Sequence, residues 1–127
     1  MPERNKKFGD WGERLAKDFL SRRGYSILES NFHKRCGEID IICSKEDNLH
    51  FVEVKTRTLA STQQFGLPQE AVTKTKQKKI IQTAMTFLAE KGYGGNINWQ
   101  IDVISITYCK EKSQAKINFI ENAVSDD

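Results

Sequence analysis

Residues 37–42 (GEIDII) and residues 51–55 (FVEVK) are typical of two β-strands joined by a short polar turn at residues 44–48. Their uncharged positions are mostly β-branched or apolar, so both strands are predicted to be largely buried. Buried carboxylates are costly unless a cation or hydrogen bonds compensate them. The sequence therefore predicts a buried hairpin whose acidic residues have a specific partner.

The position of the turn determines which charged residues meet. With the turn centred at residues 46–47, Asp40 lies opposite Glu53, and Glu38 lies opposite Lys55. Directly opposed residues point to the same face, and so do residues two apart on one strand. This register thus brings three acids and a lysine together, whereas a slip by one residue would send half of them to the other face.

Several acids that converge without matched arginines are typical of a divalent-cation site. We expect Asp40 and Glu53 to bind Mg²⁺ or Mn²⁺, with the backbone carbonyl of Val54 as a further ligand. Such a metal polarises a scissile phosphate and lowers the pKa of a bound water. Lys55 would orient or deprotonate that water, or stabilise the developing negative charge. The alternative is a structural Glu38–Lys55 salt bridge beside acids at a solvated edge.

The composition is that of a single globular domain. The chain has 127 residues, 38% hydrophobic and 29% charged, with a net charge of +3. No apolar run approaches the length of a bilayer span, and the N-terminus lacks the hydrophobic core of an export signal. The three cysteines form no CxxC pair, which favours a reducing cytoplasm. We predict one domain over residues 1–127, with residues 121–127 as a flexible tail.

The hydrophobic pattern predicts the element order helix, three strands, helix, two strands, which is an α/β fold with a mixed sheet. The first helix is expected to begin at Asp10, with Glu13 completing a capping box, and to end at Gly24. Residues 31–36 are expected to form a polar connection. The predicted strands are residues 25–28, 37–43, 49–57, 99–106 and 116–120, and the second helix runs from residue 69 or 73 to residue 91.

Basic residues form two groups that suit a polyanionic partner. The alternative is that they are only the solvated face of a helix or strand. One group starts the second helix and the other flanks the first strand: Lys74, Lys76, Lys78 and Lys79; Arg22, Arg23, His33, Lys34 and Arg35.

The hairpin motif, with residues 51–57 (FVEVKTR), resembles the signature of the PD-(D/E)XK nuclease superfamily. More narrowly, the chain resembles the bacterial YraN family of predicted endonucleases, which are related to Holliday-junction resolvases. The resemblance covers roughly residues 9–106. It also includes Gly12-Glu13, Asn31-Phe32, Phe65-Gly66 with Pro68, Glu70-Ala71-Val72, Lys76 and Asp102-Val103-Ile104.

This resemblance implies a restriction-endonuclease-like fold with a five-stranded mixed sheet flanked by helices. It implies that Asp40, Glu53 and Lys55 are catalytic, and that Glu13 adds an acid from the first helix. For Glu13, the capping role remains the alternative. The expected nucleic-acid contacts, including an auxiliary polar residue at Gln69 or Glu70, are Arg35, Arg57, Gln69, Lys74, Lys76 and Lys79. One departure from the family is Gln100, where an arginine is usual; if that arginine contacts phosphate, the contact is lost here.

The expected function is a Mg²⁺-dependent endonuclease that hydrolyses DNA, with branched or structured DNA as the implied substrate. The partner is thus nucleic acid and not a membrane. Symmetric cutting of two strands would need two copies of the chain, which suits a homodimer. Two alternatives stay open: a non-catalytic nucleic-acid-binding module on the same fold, and an interaction protein that does not bind nucleic acid.

Overall fold

The computed structural model describes residues 3–59 and 73–124, with side chains described from residue 6 onward. The predicted α/β order is confirmed, with two helices and a five-stranded mixed sheet. The elements are α1 (Glu3–Arg22), β1 (Ser26–Lys34), β2 (Gly37–Lys45), β3 (Asn48–Leu59), α2 (Lys74–Glu90), β4 (Asn98–Cys109) and β5 (Gln114–Ile120).

The strands lie in the sheet in chain order, from β1 at one edge to β5 at the other. β3 and β4 run parallel and pair from Asn48–Asn98 to Leu59–Cys109, while the other neighbours are antiparallel. A parallel pair needs a crossover connection, which the segment containing α2 provides. β3, which carries the FVEVK motif, is therefore a central strand.

Each face of the sheet is covered by one helix. Ala16 and Leu20 of α1 pack with Val52 and Ile104 in one buried cluster. Ile80, Ala84 and Phe87 of α2 belong to a second cluster on the other face, together with Phe51 and Val103. Because side chains alternate between faces along a strand, Glu53 and Lys55 of β3 lie on the α2 side with Phe51. Neither helix of the described chain combines the length and apolar character that a bilayer span requires.

Helix α1 begins at Glu3, well before the predicted start at Asp10. Asp10 is therefore inside the helix and cannot be its N-cap, so the capping-box role for Glu13 is wrong. The residues before Asp10 continue the apolar face, since Phe8 stacks on Trp11 with ring centroids 5.4 Å apart. A start at Asp10 is predicted because Asp10 is an acid before an amphipathic stretch, but the packing of Phe8 on Trp11 favours an earlier start.

Strand β1 is also longer than predicted, because it continues to Lys34 through most of the segment expected to be a connection. Phe32 anchors this extension: it is buried and packs edge-on against Phe87 at 5.3 Å. The strand is irregular, with a register shift between Ile27 and Glu29 and a left-handed Asn31 at φ 55°. These irregularities interrupt the alternation by which a strand is recognised in a sequence.

The segment expected to be a flexible tail begins with a turn against β4. The Ala123 backbone N–H donates to the Ile101 carbonyl at 2.8 Å, and Val124 is buried in the α2-side cluster. Residues 125–127 lie outside the described part of the chain.

Helix α1 approaches the site strand most closely at Gly12. A Cβ at this position would overlap the Cγ2 methyl of Thr56, the residue after Lys55. Only a residue without a side chain allows α1 to pack this tightly against β3. Gly9, one turn earlier in the same helix, has no neighbouring atom within 4 Å of the same added carbon.

We predict that Gly12→Ala lowers the free energy of unfolding by about 1–3 kcal/mol, because the added methyl overpacks the interface with β3. Gly9→Ala is the matched control and should raise stability by up to about 1 kcal/mol through helix propensity. Urea denaturation followed by circular dichroism measures both. Equal effects of the two substitutions would contradict the close approach at Gly12.

Candidate active site

A pocket of about 260 Å³ opens between the hairpin β2–β3 and helix α2. It contains all four charged residues that the register prediction brought together, along with two lysines from α2. Its lining residues are Gly37, Glu38, Asp40, Glu53, Val54, Lys55, Lys76, Lys79 and Ile80.

The predicted hairpin register is confirmed for residues 41–45 with residues 48–52, whereas the Asp40–Glu53 and Glu38–Lys55 pairings lie beyond the end of the ladder. Backbone partners run from Lys45–Asn48 to Ile41–Val52, with the turn centred between Glu46 and Asp47. Both turn residues have positive φ, at 51° and 66°, as a two-residue type I′ turn requires. The ladder ends at Ile41–Val52, immediately before the positions of Asp40 and Glu53.

Beyond the end of the ladder, the Asp40 side chain links β2 to β3 by a hydrogen bond. Its Oδ2 accepts a hydrogen bond from the Val54 N–H at 2.7 Å. The Glu53 carboxyl is close enough to raise the pKa of Asp40, both through hydrogen bonding and through its charge. We call Asp40 and Glu53 the acid pair. Two acids share one hydrogen bond only when one of them is protonated.

Two negative charges in the acid pair would repel each other, and Asp40 is the carboxyl group that holds a proton. Burial, the hydrogen bond to Glu53 and the charge of Glu53 raise the pKa of Asp40 from its ordinary value of 3.8 to about 9. Glu53, only 7% exposed, instead pairs with Lys76, whose Nζ lies 3.3 Å from Glu53 Oε2. A proton and a lysine therefore compensate these carboxyl groups.

Two lysines meet beside the acid pair and differ in charge preference. Burial lowers the pKa of Lys55, and the hydrogen bond and charge of Lys76 lower it further. Burial opposes the charge of Lys76 too, but its hydrogen bond to Lys55 and the charge of Glu53 raise its pKa overall. Lys76 is thus the persistent cation, whereas Lys55 gives up its proton more readily. A lysine with a lowered pKa is suited to accept a proton from water.

Glu13 lies on α1 outside the pocket lining, close enough for its charge to raise the pKa of Asp40. Burial raises the pKa of Glu13 itself, while a hydrogen bond with the Asn31 side chain lowers it. Asn31 is the left-handed residue of β1, so the irregularity in that strand places its amide beside α1. A catalytic role for Glu13 stays a prediction.

Of the predicted nucleic-acid contacts among the described residues, only Lys76 and Lys79 line the pocket. Arg57 lies two residues beyond Lys55 on the same face of β3, where its Nε donates to Thr107 Oγ1 at 3.3 Å. Arg35 and Lys74 are exposed, in the β1–β2 turn and at the start of α2. Lys76, expected to contact nucleic acid, forms an ion pair with Glu53, and its role toward nucleic acid stays a prediction. Gln69 lies outside the described residues.

A second buried polar cluster was not recognised as one from the sequence. Asp102, fully buried in β4, contacts His50 Nδ1 through Oδ2 at 2.7 Å. Its Oδ1 accepts hydrogen bonds from Gln100 Nε2 and from the Asn122 N–H, both at 2.8 Å. The sequence signal that could have revealed this cluster was Asp102 itself, an acid within the mostly apolar strand β4. This cluster lies on the α1 face because Asp102 pairs with Val52, so it is separate from the pocket.

This cluster also changes the interpretation of Gln100, where the resemblance led us to expect a lost phosphate contact. Its amide binds the Asp102 carboxylate and helps to satisfy it, together with the turn at Asn122. The side chain at position 100 thus supports a buried acid that fixes the turn at Asn122 against β4.

The donor set in the pocket fits a hard divalent cation. The described residues contain no group of three or more His, Cys, Asp or Glu side chains arranged to hold a metal. The acid pair offers two carboxyl groups in the same pocket, with Val54 beside them in the lining. Mg²⁺ typically uses one or two carboxylates and completes its shell with water and substrate oxygens. A dication would replace the proton that the acid pair shares.

Comparison with known proteins assigns the family. The family model of the Uncharacterised protein family UPF0102 matches residues 12–106, which include both helix–sheet interfaces and the pocket. The chain belongs to the UPF0102 family. This is the YraN group, as the hairpin motif indicated.

UPF0102 relatives match over nearly their full length. A UPF0102 protein of Syntrophomonas wolfei is 44% identical over 94% of this chain and 98% of the relative. One from Clostridium perfringens is 43% identical, with coverage of 97% and 98%. One from Caldanaerobacter subterraneus is 42% identical, with coverage of 97% and 99%. This chain and these relatives are thus similar in length and align almost from end to end.

We predict a pH-dependent stability that comes from Asp40 when divalent metal is removed with EDTA. Asp40 keeps its proton in the folded protein up to a pH of about 9, whereas its ordinary pKa is 3.8. Unfolding therefore releases a proton between these values, and this contribution to stability is complete below the lower one. Stability should fall as pH rises through the window, by at most about 1.4 kcal/mol per pH unit.

Asp40→Asn is the control, because an amide cannot ionise. Urea denaturation of both proteins between pH 4.5 and about 8.5 measures the two slopes. The substituted protein should have the shallower decline. Parallel curves would show that Asp40 does not hold its proton in the folded state.

Proposed function

We propose that this UPF0102 protein is a metal-dependent endonuclease that hydrolyses phosphodiester bonds in DNA. The observation that carries the proposal is the meeting of Asp40, Glu53 and Lys55 in one pocket, on adjacent strands and beside a basic helix. This arrangement matches the residues by which the hairpin resembles PD-(D/E)XK nucleases. The α/β order and the central position of the motif strand further support a restriction-endonuclease-like assignment.

Each residue has a role that follows from its surroundings. Asp40 and Glu53 would hold Mg²⁺ or Mn²⁺, with the Val54 carbonyl as a further oxygen donor. The bound metal would polarise the scissile phosphate and acidify a water molecule. Lys55, whose pKa is lowered by burial and by Lys76, accepts the proton of the attacking water. The Val54 N–H fixes the orientation of the Asp40 carboxylate.

The basic residues around the pocket suit the phosphate backbone of DNA. Lys79 lines the pocket, and Arg35, Arg57 and Lys74 belong to elements that form or adjoin it: the β1–β2 turn, the C-terminal part of β3 and the start of α2. Such contacts hold a nucleic acid in register without reading its sequence. Branched DNA as the substrate, a homodimer as the active form and the cytoplasm as the location rest on the resemblance and the composition.

One observation favours the second candidate, a non-catalytic nucleic-acid-binding module. Glu53 is paired with Lys76 and Asp40 is stabilised in its neutral form, so the acid pair is compensated without a metal. A protein of this kind would bind DNA in a salt-dependent way that chelation does not change. Metal dependence therefore separates the two functions.

We predict Mn²⁺- or Mg²⁺-dependent cleavage when the protein is incubated with branched, linear and single-stranded DNA. Asp40→Asn and Glu53→Gln should abolish cleavage because they remove the metal ligands. Lys55→Met should reduce the rate by at least about 100-fold, as expected for loss of a general base. Glu111→Gln, at an exposed position in the β4–β5 turn, is the charge-matched control and should leave the rate unchanged.

Gel analysis of end-labelled DNA measures the cleavage. Cleavage by Asp40→Asn at the rate of the unsubstituted protein would reveal a contaminating nuclease and refute the proposed site. Salt-dependent binding in EDTA, without cleavage of any substrate in either metal, would favour the binding module.

A further inference from the structure

Lys76 lies in the first turn of α2, but its side chain is directed to the pocket and not to solvent alone. Its backbone N–H donates to the side chain of Thr73, the N-cap of α2, at 3.2 Å. This cap fixes the first turn, so that Lys76 and Ile80, four residues apart, face the pocket together. The Lys76 ammonium consequently reaches Glu53 Oε2 at 3.3 Å.

This contact occupies the carboxylate that a metal would need. The Glu53 side chain is only 8% exposed, so its charge requires a partner, and Lys76 is the only ion-pair partner that the described residues give it. A dication bound by the acid pair would place a second positive charge against the same oxygens. Two cations so close repel each other strongly in a poorly solvated site.

Lys76 is also able to leave. Its side chain is 39% exposed, and a lysine stem has four rotatable methylenes. It lies between the acid pair and the basic start of α2, where DNA phosphates would approach under the proposed function. The ammonium can therefore exchange a carboxylate partner for a phosphate partner without a change in the helix.

We propose that Lys76 is an exchangeable internal cation, which neutralises Glu53 until a divalent metal displaces it toward the phosphate of the substrate. This inference rests on the proposed metal site and adds a positioning residue to it. Metal and DNA then favour each other's binding, since the displaced ammonium finds a new anion. In the absence of DNA, Lys76 competes with the metal and keeps its affinity low.

Isothermal titration with Mn²⁺, without DNA, tests the competition. Lys76→Met removes the charge and keeps a similar length, and it should increase Mn²⁺ affinity by about tenfold or more. Lys79→Met is the matched control: it removes the same charge from the same pocket wall, but Lys79 has no carboxylate partner among the described residues. Lys79→Met and the charge-conserving Lys76→Arg should each change the affinity by less than about threefold.

The outcomes separate this inference from the proposed function. Mn²⁺ binding that Asp40→Asn abolishes, with Lys76→Met no tighter than Lys79→Met, overturns the role of Lys76 and leaves the metal site standing. Tighter binding by Lys76→Met alone supports the role, including the case in which the unsubstituted protein binds no Mn²⁺ that can be measured. Binding by none of these proteins overturns both proposals.

A measurement on the unsubstituted protein covers the case in which Lys76→Met does not fold. The lysine ¹³Cε resonances are followed by NMR during a Mg²⁺ titration, with the Lys76 signal assigned from its loss in Lys76→Arg. The Lys76 signal should move toward the position of a mobile, solvated lysine as metal binds, while the Lys79 signal changes little. A Lys76 signal that stays fixed at saturating Mg²⁺ overturns the inference.

Discussion

The closeness of the Asp40 and Glu53 carboxyl groups is the constraint that organises the charges of the pocket. It arises where the β2–β3 ladder stops, and the Val54 N–H that follows binds Asp40. Two acids this close are unfavourable, so one holds a proton and the other holds Lys76. Strands β2 and β3 bring the two acids together, and helix α2 supplies the compensating cation.

Two glycines allow the helices to pack closely against the strands that carry the acid pair. Gly12 lets α1 lie directly on Thr56, behind the strand that carries Lys55. On the other face, a Cβ at Gly37 would lie 2.9 Å from Thr83 Oγ1, so the start of β2 can press against α2. The acids and Lys76 belong to elements that these contacts hold together. A site on strands and helices is positioned more firmly than one on loops.

The hairpin and its charged face could be predicted from the sequence because they depend on local rules. Turn residues at 46–47 set the register, and the register sets which side chains meet. The start of α1 and the length of β1 could not be predicted in the same way, since Phe8 and Phe32 decide them through tertiary packing. Propensity and caps are weak beside such contacts.

The pairing of Lys76 with Glu53 could not be predicted from the sequence. Four lysines begin α2, and only the helix phase fixed by Thr73 distinguishes the one that reaches Glu53. Gln100 is similar, since its role appears only when Asp102 is seen to be buried on the opposite face. A sequence states which charges are present, whereas the packing decides which of them meet.

The most direct test of the proposed metal site is a crystal structure of the protein soaked in Mn²⁺, with the metal located by anomalous scattering. We expect a peak within roughly 2.0–2.6 Å of a carboxylate oxygen from Asp40 and one from Glu53, the usual range for hard cations. We also expect the Lys76 ammonium to have moved away from Glu53. Saturating Mn²⁺ with no peak at the acid pair, and with Lys76 still bound to Glu53, would contradict the proposed site.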